Sequence, residues 1–137
     1  MTGNDQYKPF GVYVSRPVAD ALATAAYEEA GVVDLAAYFD PDATTIPAGD
    51  PGAEMTADLL EAVVANFAGL YDAADFESAR RIEPDGFELV HLAARPETIA
   101  SARERFQAAA TIQETDLRTV QTAIFAAWLS EDGQSRP

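Results

Sequence analysis

Between Arg16 and Arg80 the chain carries no positively charged side chain. Residues 1–78 hold 14 acids and two bases, whereas residues 79–137 hold nine acids and seven arginines. The charge is therefore unevenly placed along the chain. Two readings follow from this split. In the first, the molecule is electrostatically polar and offers a head-to-tail interface, or an acidic face for a basic partner. In the second, the acids coat a solvated surface and the arginines pair locally.

The whole chain of 137 residues has a net charge of −14, one lysine (Lys8) and 28 alanines. Arginine in place of lysine, with abundant alanine, marks a GC-rich genome. The acid excess goes beyond that and reads as halophile-like, since a strongly negative surface stays soluble where salt screens self-repulsion. The length suits a single domain over 1–137, and 48% hydrophobic residues suffice for its core. Cysteine is absent, which excludes disulfides, iron–sulfur clusters and thiolate nucleophiles. One histidine excludes a site with several histidine ligands. The negative charge disfavours bare nucleic-acid binding, which needs cations against phosphate. No apolar run reaches membrane-spanning length, and the N-terminus has neither the basic region nor the apolar stretch of a signal peptide. The expected location is the cytoplasm or a virion.

Pattern and punctuation give the elements. Residues 1–9 read as an irregular, flexible tail. Phe10, Val12 and Val14 alternate with Gly11 and Tyr13 as a short strand. Ser15 is an N-cap signal with Pro17 in the first turn, so a helix runs from Arg16 to Ala30 and stops at Gly31. Asp34 caps a second, short helix through Leu35, Tyr38 and Phe39. Residues 40–53 hold three prolines and two glycines, and read as a long loop. Leu59, Leu60, Val63, Val64, Phe67, Leu70 and Tyr71 follow helical spacing, predicting one helix over 56–71 capped by Thr56. Residues 72–78 are ambiguous. Pro84-Asp85-Gly86 predicts a hairpin turn between Arg81–Glu83 and a strand from Phe87 to Ala93, apolar on both faces. Pro96 and Glu97 open a helix that ends near Gln113, and Thr115 caps a last helix through Leu117, Val120, Ile124 and Trp128. Residues 130–137 read as a fraying tail. The expected fold is α+β and helix-dominated, with about four helices, one β-hairpin and a short N-terminal strand. A mainly α bundle is the alternative.

Chemistry-bearing motifs are sparse. His91 is the one side chain that titrates near neutrality unperturbed, and Glu83, Asp85 or Glu88 would have to orient it as a general base. The bland reading is a half-buried strand histidine. Asp40, Asp42, Thr44 and Asp50 begin like a calcium loop, but Thr45 stands where glycine is needed and Pro51 where the bidentate Glu is needed. Asp72, Asp75 and Glu77 form a carboxylate cluster of the sort an acidic chain produces by chance. Phosphate-binding glycine motifs are missing, so no cofactor is expected. Arg80-Arg81 and Arg103-Glu104-Arg105 are the basic clusters, able to meet carboxylates or phosphates. A hairpin beside helices also resembles a winged-helix DNA binder in outline, which keeps a transcription regulator as an alternative. Tyr7, Phe10 and Tyr13 form either an arm that docks on a neighbouring subunit or an edge strand. The expected function is a non-enzymatic structural, adaptor or assembly protein, a virion connector or coat component in a halophilic setting among the options. It would act through a protein partner or self-association into a homo-oligomer, with Arg80, Arg81, Arg103, Arg105, Tyr7, Phe10 and Tyr13 as interface residues. The alternative is an enzyme or small-ligand site at His91.

Overall fold

A computed structural model describes residues 6–40, 42, 45–47 and 49–134. The chain is mixed α+β and helix-dominated, as its patterning predicts. Among the described residues it has six α-helices of five residues or more, rather than four, plus one single-turn helix.

Strand β1 (Gln6–Ser15) is the middle of a three-stranded antiparallel sheet, flanked by β2 (Ile46–Pro47) and β3 (Phe87–Ala94). Three expectations change here. Residues 6–9 belong to a strand, not to an irregular tail, while residues 1–5 lie outside the described residues. The predicted hairpin does not form: Pro84–Gly86 is a turn of 3₁₀ helix, and β3 pairs with β1 across the chain, Lys8 opposite Ala94 and Ser15 opposite Phe87. The proline-rich stretch is not all loop, since Ile46 and Pro47 pair with Tyr7 and Gln6.

Local capping explains the helices. In α1 (Arg16–Ala30) the Ser15 hydroxyl accepts from the Val18 amide at 3.4 Å. Gly31 closes it with φ 73, a left-handed conformation that costs glycine little, and its amide reaches the Ala26 and Tyr27 carbonyls. Single-turn α2 (Leu35–Tyr38) follows Asp34, whose side chain makes no capping bond. Helix α3 (Pro51–Ala65) starts earlier than expected because Asp50, not Thr56, is its cap, accepting from the Ala53 amide at 3.0 Å, with Pro51 in the first turn. The Tyr38 hydroxyl donates to the same Asp50 carboxylate, tying α2 to α3. At Asn66 the predicted single helix breaks into α3 and α4 (Phe67–Ala73). The ambiguous acidic stretch contains the start of α5 (Phe76–Arg80), capped by Asp75, which accepts from the amide and the hydroxyl of Ser78. Helix α6 (Pro96–Gln113) runs as predicted and leads through Glu114, at φ 54, into α7 (Leu117–Gln134). The cap of α7 is Asp116 rather than Thr115, and it accepts from the Thr119 amide and hydroxyl at 3.2 and 2.6 Å. Residues 130–134 are helical instead of frayed, and 135–137 lie outside the described residues.

One hydrophobic core gathers all of these elements. The inner sheet face supplies Phe10, Val12, Val14, Val90 and Leu92, all buried. Helix α7 is buried on every side from Thr119 to Phe125, so an apolar stripe understates its burial. Its polar residues there have specific tasks. Gln121 Oε1 accepts from the Tyr13 amide at 2.9 Å, and Thr122 Oγ1 from the Ser15 amide at 3.1 Å. On the opposite edge, the Thr56 hydroxyl accepts from the Ala93 amide at 2.9 Å and donates to the Ala93 carbonyl at 3.0 Å. Helix side chains thus complete the hydrogen bonds that strand edges leave open. Among the described residues no buried side-chain polar atom lacks a partner.

Candidate functional site

The sheet buries one face and leaves the other partly open. Side chains alternate along a strand, so Gly11 and Tyr13 on β1 share the outer face with Phe87, Leu89 and His91 on β3. Tyr13 is 50% exposed and Leu89, directly opposite it, 42%. Apolar residues on both faces of this strand therefore do not mean that both are covered, since Leu89 is open. Gly11 makes a hollow in the same surface, since a Cβ there would stand 3.0 Å from Leu89 Cδ1 and 3.6 Å from His91 Nε2. Leu117, 41% exposed in the first turn of α7, lines a small cavity with Gly11 and Phe10. Together they make an apolar strip on an acidic molecule.

Arginines flank the strip. The Arg118 guanidinium lies over the Phe87 ring, 4.9 Å from its centroid, and Arg103 lies 5.6 Å from the Phe10 centroid. A cation–π contact of this sort is worth about 0.5–1 kcal/mol at an exposed site and more as it is desolvated. Beyond Phe87, Arg80, Arg81 and Arg118 line a cleft of about 360 Å³ between the α5–β3 connection and the start of α7. Gln113 holds Arg80 through its carbonyl (2.8 Å) and side-chain oxygen (3.1 Å), and Glu77 lies 3.3 Å from Arg80 and 3.9 Å from Arg81. Arg16 bonds the Asp85 carbonyl and pairs with Glu88 at 3.3 Å. Local pairing thus accounts for part of the arginine set, as the blander of the two readings requires. Asp116, paired with Arg118 at 3.3 Å, is held below the ordinary carboxylate range, chiefly by the Thr119 hydroxyl. The Ser78 hydroxyl does the same for Asp75.

The structure sorts the seven sequence-nominated interface residues. It brings Arg80 and Arg81 together with Arg118 and puts Arg103 beside the strip. Arg105 is exposed on α6 two residues on, which is about 200° around the helix from Arg103. Tyr7 and Phe10 are buried in the core, so they are strand residues and not a docking arm. Burial, with the nearby Glu54 carboxylate, raises the Tyr7 phenol above its ordinary range. Of the three aromatics only Tyr13 faces out. Leu89 and Leu117 were missed, although the alternation over 87–91 already places Leu89 opposite Val90. What the pattern lacks is the identity of β3's partner strand.

His91 sits half-buried on the outer face beside Gly11. Glu88 projects from the other face of β3 toward Arg16, and Glu83 and Asp85 precede the strand. Among the described residues no carboxylate hydrogen-bonds to His91, so the base–carboxylate pair is not assembled. The aspartates of the calcium-like stretch are spent locally: Asp40 accepts from the Asp42 amide, and Asp50 serves Tyr38 and Ala53. Thr44 lies outside the described residues. Among those residues no cluster of three metal-ligating side chains occurs, and no helix is long and apolar enough to cross a membrane.

A contrasting surface lies on α3. Glu54, Asp58 and Glu61 are exposed at spacings of four and three, which puts them on one flank. Beside them Met55, Leu59 and Trp128 floor a groove of about 370 Å³ rimmed by Glu29, Glu54 and Asp58.

The chain matches no family model, no curated protein and no solved structure.

Proposed function

We propose that the chain is a non-enzymatic structural or adaptor protein that works by protein–protein association. Copies of itself are its first partner, and its setting is an assembly such as a virion connector or coat in concentrated salt. The observation that carries this reading is the open, apolar strip of Tyr13, Leu89 and Leu117 with arginines on both flanks. Interfaces combine this chemistry, an aromatic and aliphatic centre with arginine beside it. Salt has a defined role. Two copies of net charge −14 repel at long range, and that repulsion fades as the screening length shrinks from about 10 Å at 0.1 M to about 3 Å at 1 M. Guanidinium–carboxylate contacts buried within an interface are screened much less than this long-range repulsion.

A photo-crosslinking residue at position 13, compared with one at exposed Val33 on the α1–α2 link, tests the reading in cells that make the protein. Discrete protein adducts from position 13 and none from position 33 are expected. No adduct from 13, or the same adducts from both positions, overturns it.

A further inference from the structure

We infer that the arginine-flanked strip docks on the α3 flank of a second copy, so that unlike surfaces meet. This rests on the association reading above and names its partner. Charge complementarity selects the occupant. Arg103 and Arg118 flank the apolar strip, while Asp58 rims a groove floored by Met55 and Trp128, and Glu61 stands exposed three residues further along the same flank of α3. Each surface therefore offers an apolar centre with charge of the opposite sign beside it. Neither Asp58 nor Glu61 pairs with a cation among the described residues.

Self-pairing of like surfaces is disfavoured on both sides. Strip against strip sets arginine against arginine, and flank against flank sets carboxylate against carboxylate, which costs several kcal/mol across an interface. Nor can one copy satisfy itself. Leu117 at the strip and Trp128 at the groove sit on the same helix, and at 1.5 Å per residue about 16 Å of α7 separates them. The strip of one molecule therefore finds its complement only on another.

Sedimentation velocity of the full chain, from low salt to about 2 M, tests the inference with charge-reversal pairs. The strip variant carries Arg103→Glu with Arg118→Glu, and the flank variant carries Asp58→Arg with Glu61→Arg. Wild type is expected to associate more strongly as salt rises. Each variant alone should associate at least tenfold more weakly, with far-UV circular dichroism unchanged. Mixing the two variants should restore association, as should all four changes in one chain. If the flank variant associates like wild type, or the mixture does not recover, α3 is not the partner surface. If wild type is monomeric at every salt, no second copy docks. Adducts from position 13 to a different protein would then leave the association reading standing, and no adducts at all would remove both.

Discussion

The two faces of the β1–β3 ribbon are made by alternate residues of the same two strands in one register, yet they differ in burial. On the inner face Phe10, Val12, Val14, Val90 and Leu92 are sealed under helices. On the outer face Tyr13 and Leu89 stand about half in water. Apolar side chains occur on both, so strand composition does not decide which face is core. Helix placement does. Helices α3 and α7 grip the ribbon by its edges, through Thr56 on β3 and through Gln121 and Thr122 on β1. Their remaining surface, with α1 and α6, closes over the inner side. At its Tyr13–Leu89 end the outer side is left to whatever the molecule meets, whereas Tyr7, Ile46 and Ala93 at the other end are buried.

This contrast can be broken from the inside first. Leu92→Ala removes a fully buried inner-face side chain and should lower unfolding free energy by about 3 kcal/mol, read from urea denaturation. A loss under about 1 kcal/mol would mean that the inner face is not the packed one. Next in size is the edge. Thr56→Val keeps the shape of the side chain but strips the Ala93 amide and carbonyl of their partner, for an expected cost of about 1–3 kcal/mol. Amide exchange at Ala93 should accelerate in that variant while exchange at Val90 changes less.

Asp116→Ala removes the cap of the helix that carries Leu117 and Arg118, at an expected cost of about 1 kcal/mol. It also has a pH signature. A carboxyl held lower in the folded state than in the unfolded state contributes stability at neutral pH and loses it as pH falls through the folded value. Wild type should therefore lose this increment below the ordinary carboxylate range, and Asp116→Asn should show a flatter acid limb in the same titration. The smallest effect belongs to the outer face. Leu89→Ser should change monomer stability by less than about 0.5 kcal/mol and still abolish adducts from a crosslinker at position 13. A large loss of stability there would identify Leu89 as core and erase the contrast.

Readability from sequence tracked how local each interaction is. Ser15 with Pro17 and Gly31 specify both ends of α1 within a few residues, and the structure keeps both ends. Pro96 opens α6 in the same way. The Asp50-Pro51 pair uses the same cap-and-proline grammar as Ser15 and Pro17, but the surrounding prolines and glycines hid it. Pro84-Asp85-Gly86 is a sound local turn, and the error lay in supplying it with the nearest strand rather than the distant one. Pairing of Gly11 with His91 is a tertiary fact that no window of sequence contains. The candidate surface inherits this limit. Its arginines could be named from sequence, but the strip appears only once β1 and β3 are laid side by side. Tyr7 and Phe10 illustrate the converse, since an aromatic near a terminus reads as an arm until its strand is found at the centre of a sheet.

The central position of β1 also sets a clock for the nascent chain. Ser15 finds Phe87, and Lys8 finds Ala94, only after some eighty residues of intervening polypeptide have been made. At about 5–20 residues per second this is roughly 4–16 s of translation. During that time, among the described residues of β1, Gln6 and Tyr7 alone have a strand available to them, the short β2. Phe10, Val12 and Val14 meanwhile remain an unpaired, apolar segment with an open backbone. A polypeptide interrupted before Phe87 keeps that segment permanently, so stalled or truncated products of this gene should aggregate through β1 even though the finished chain shields it.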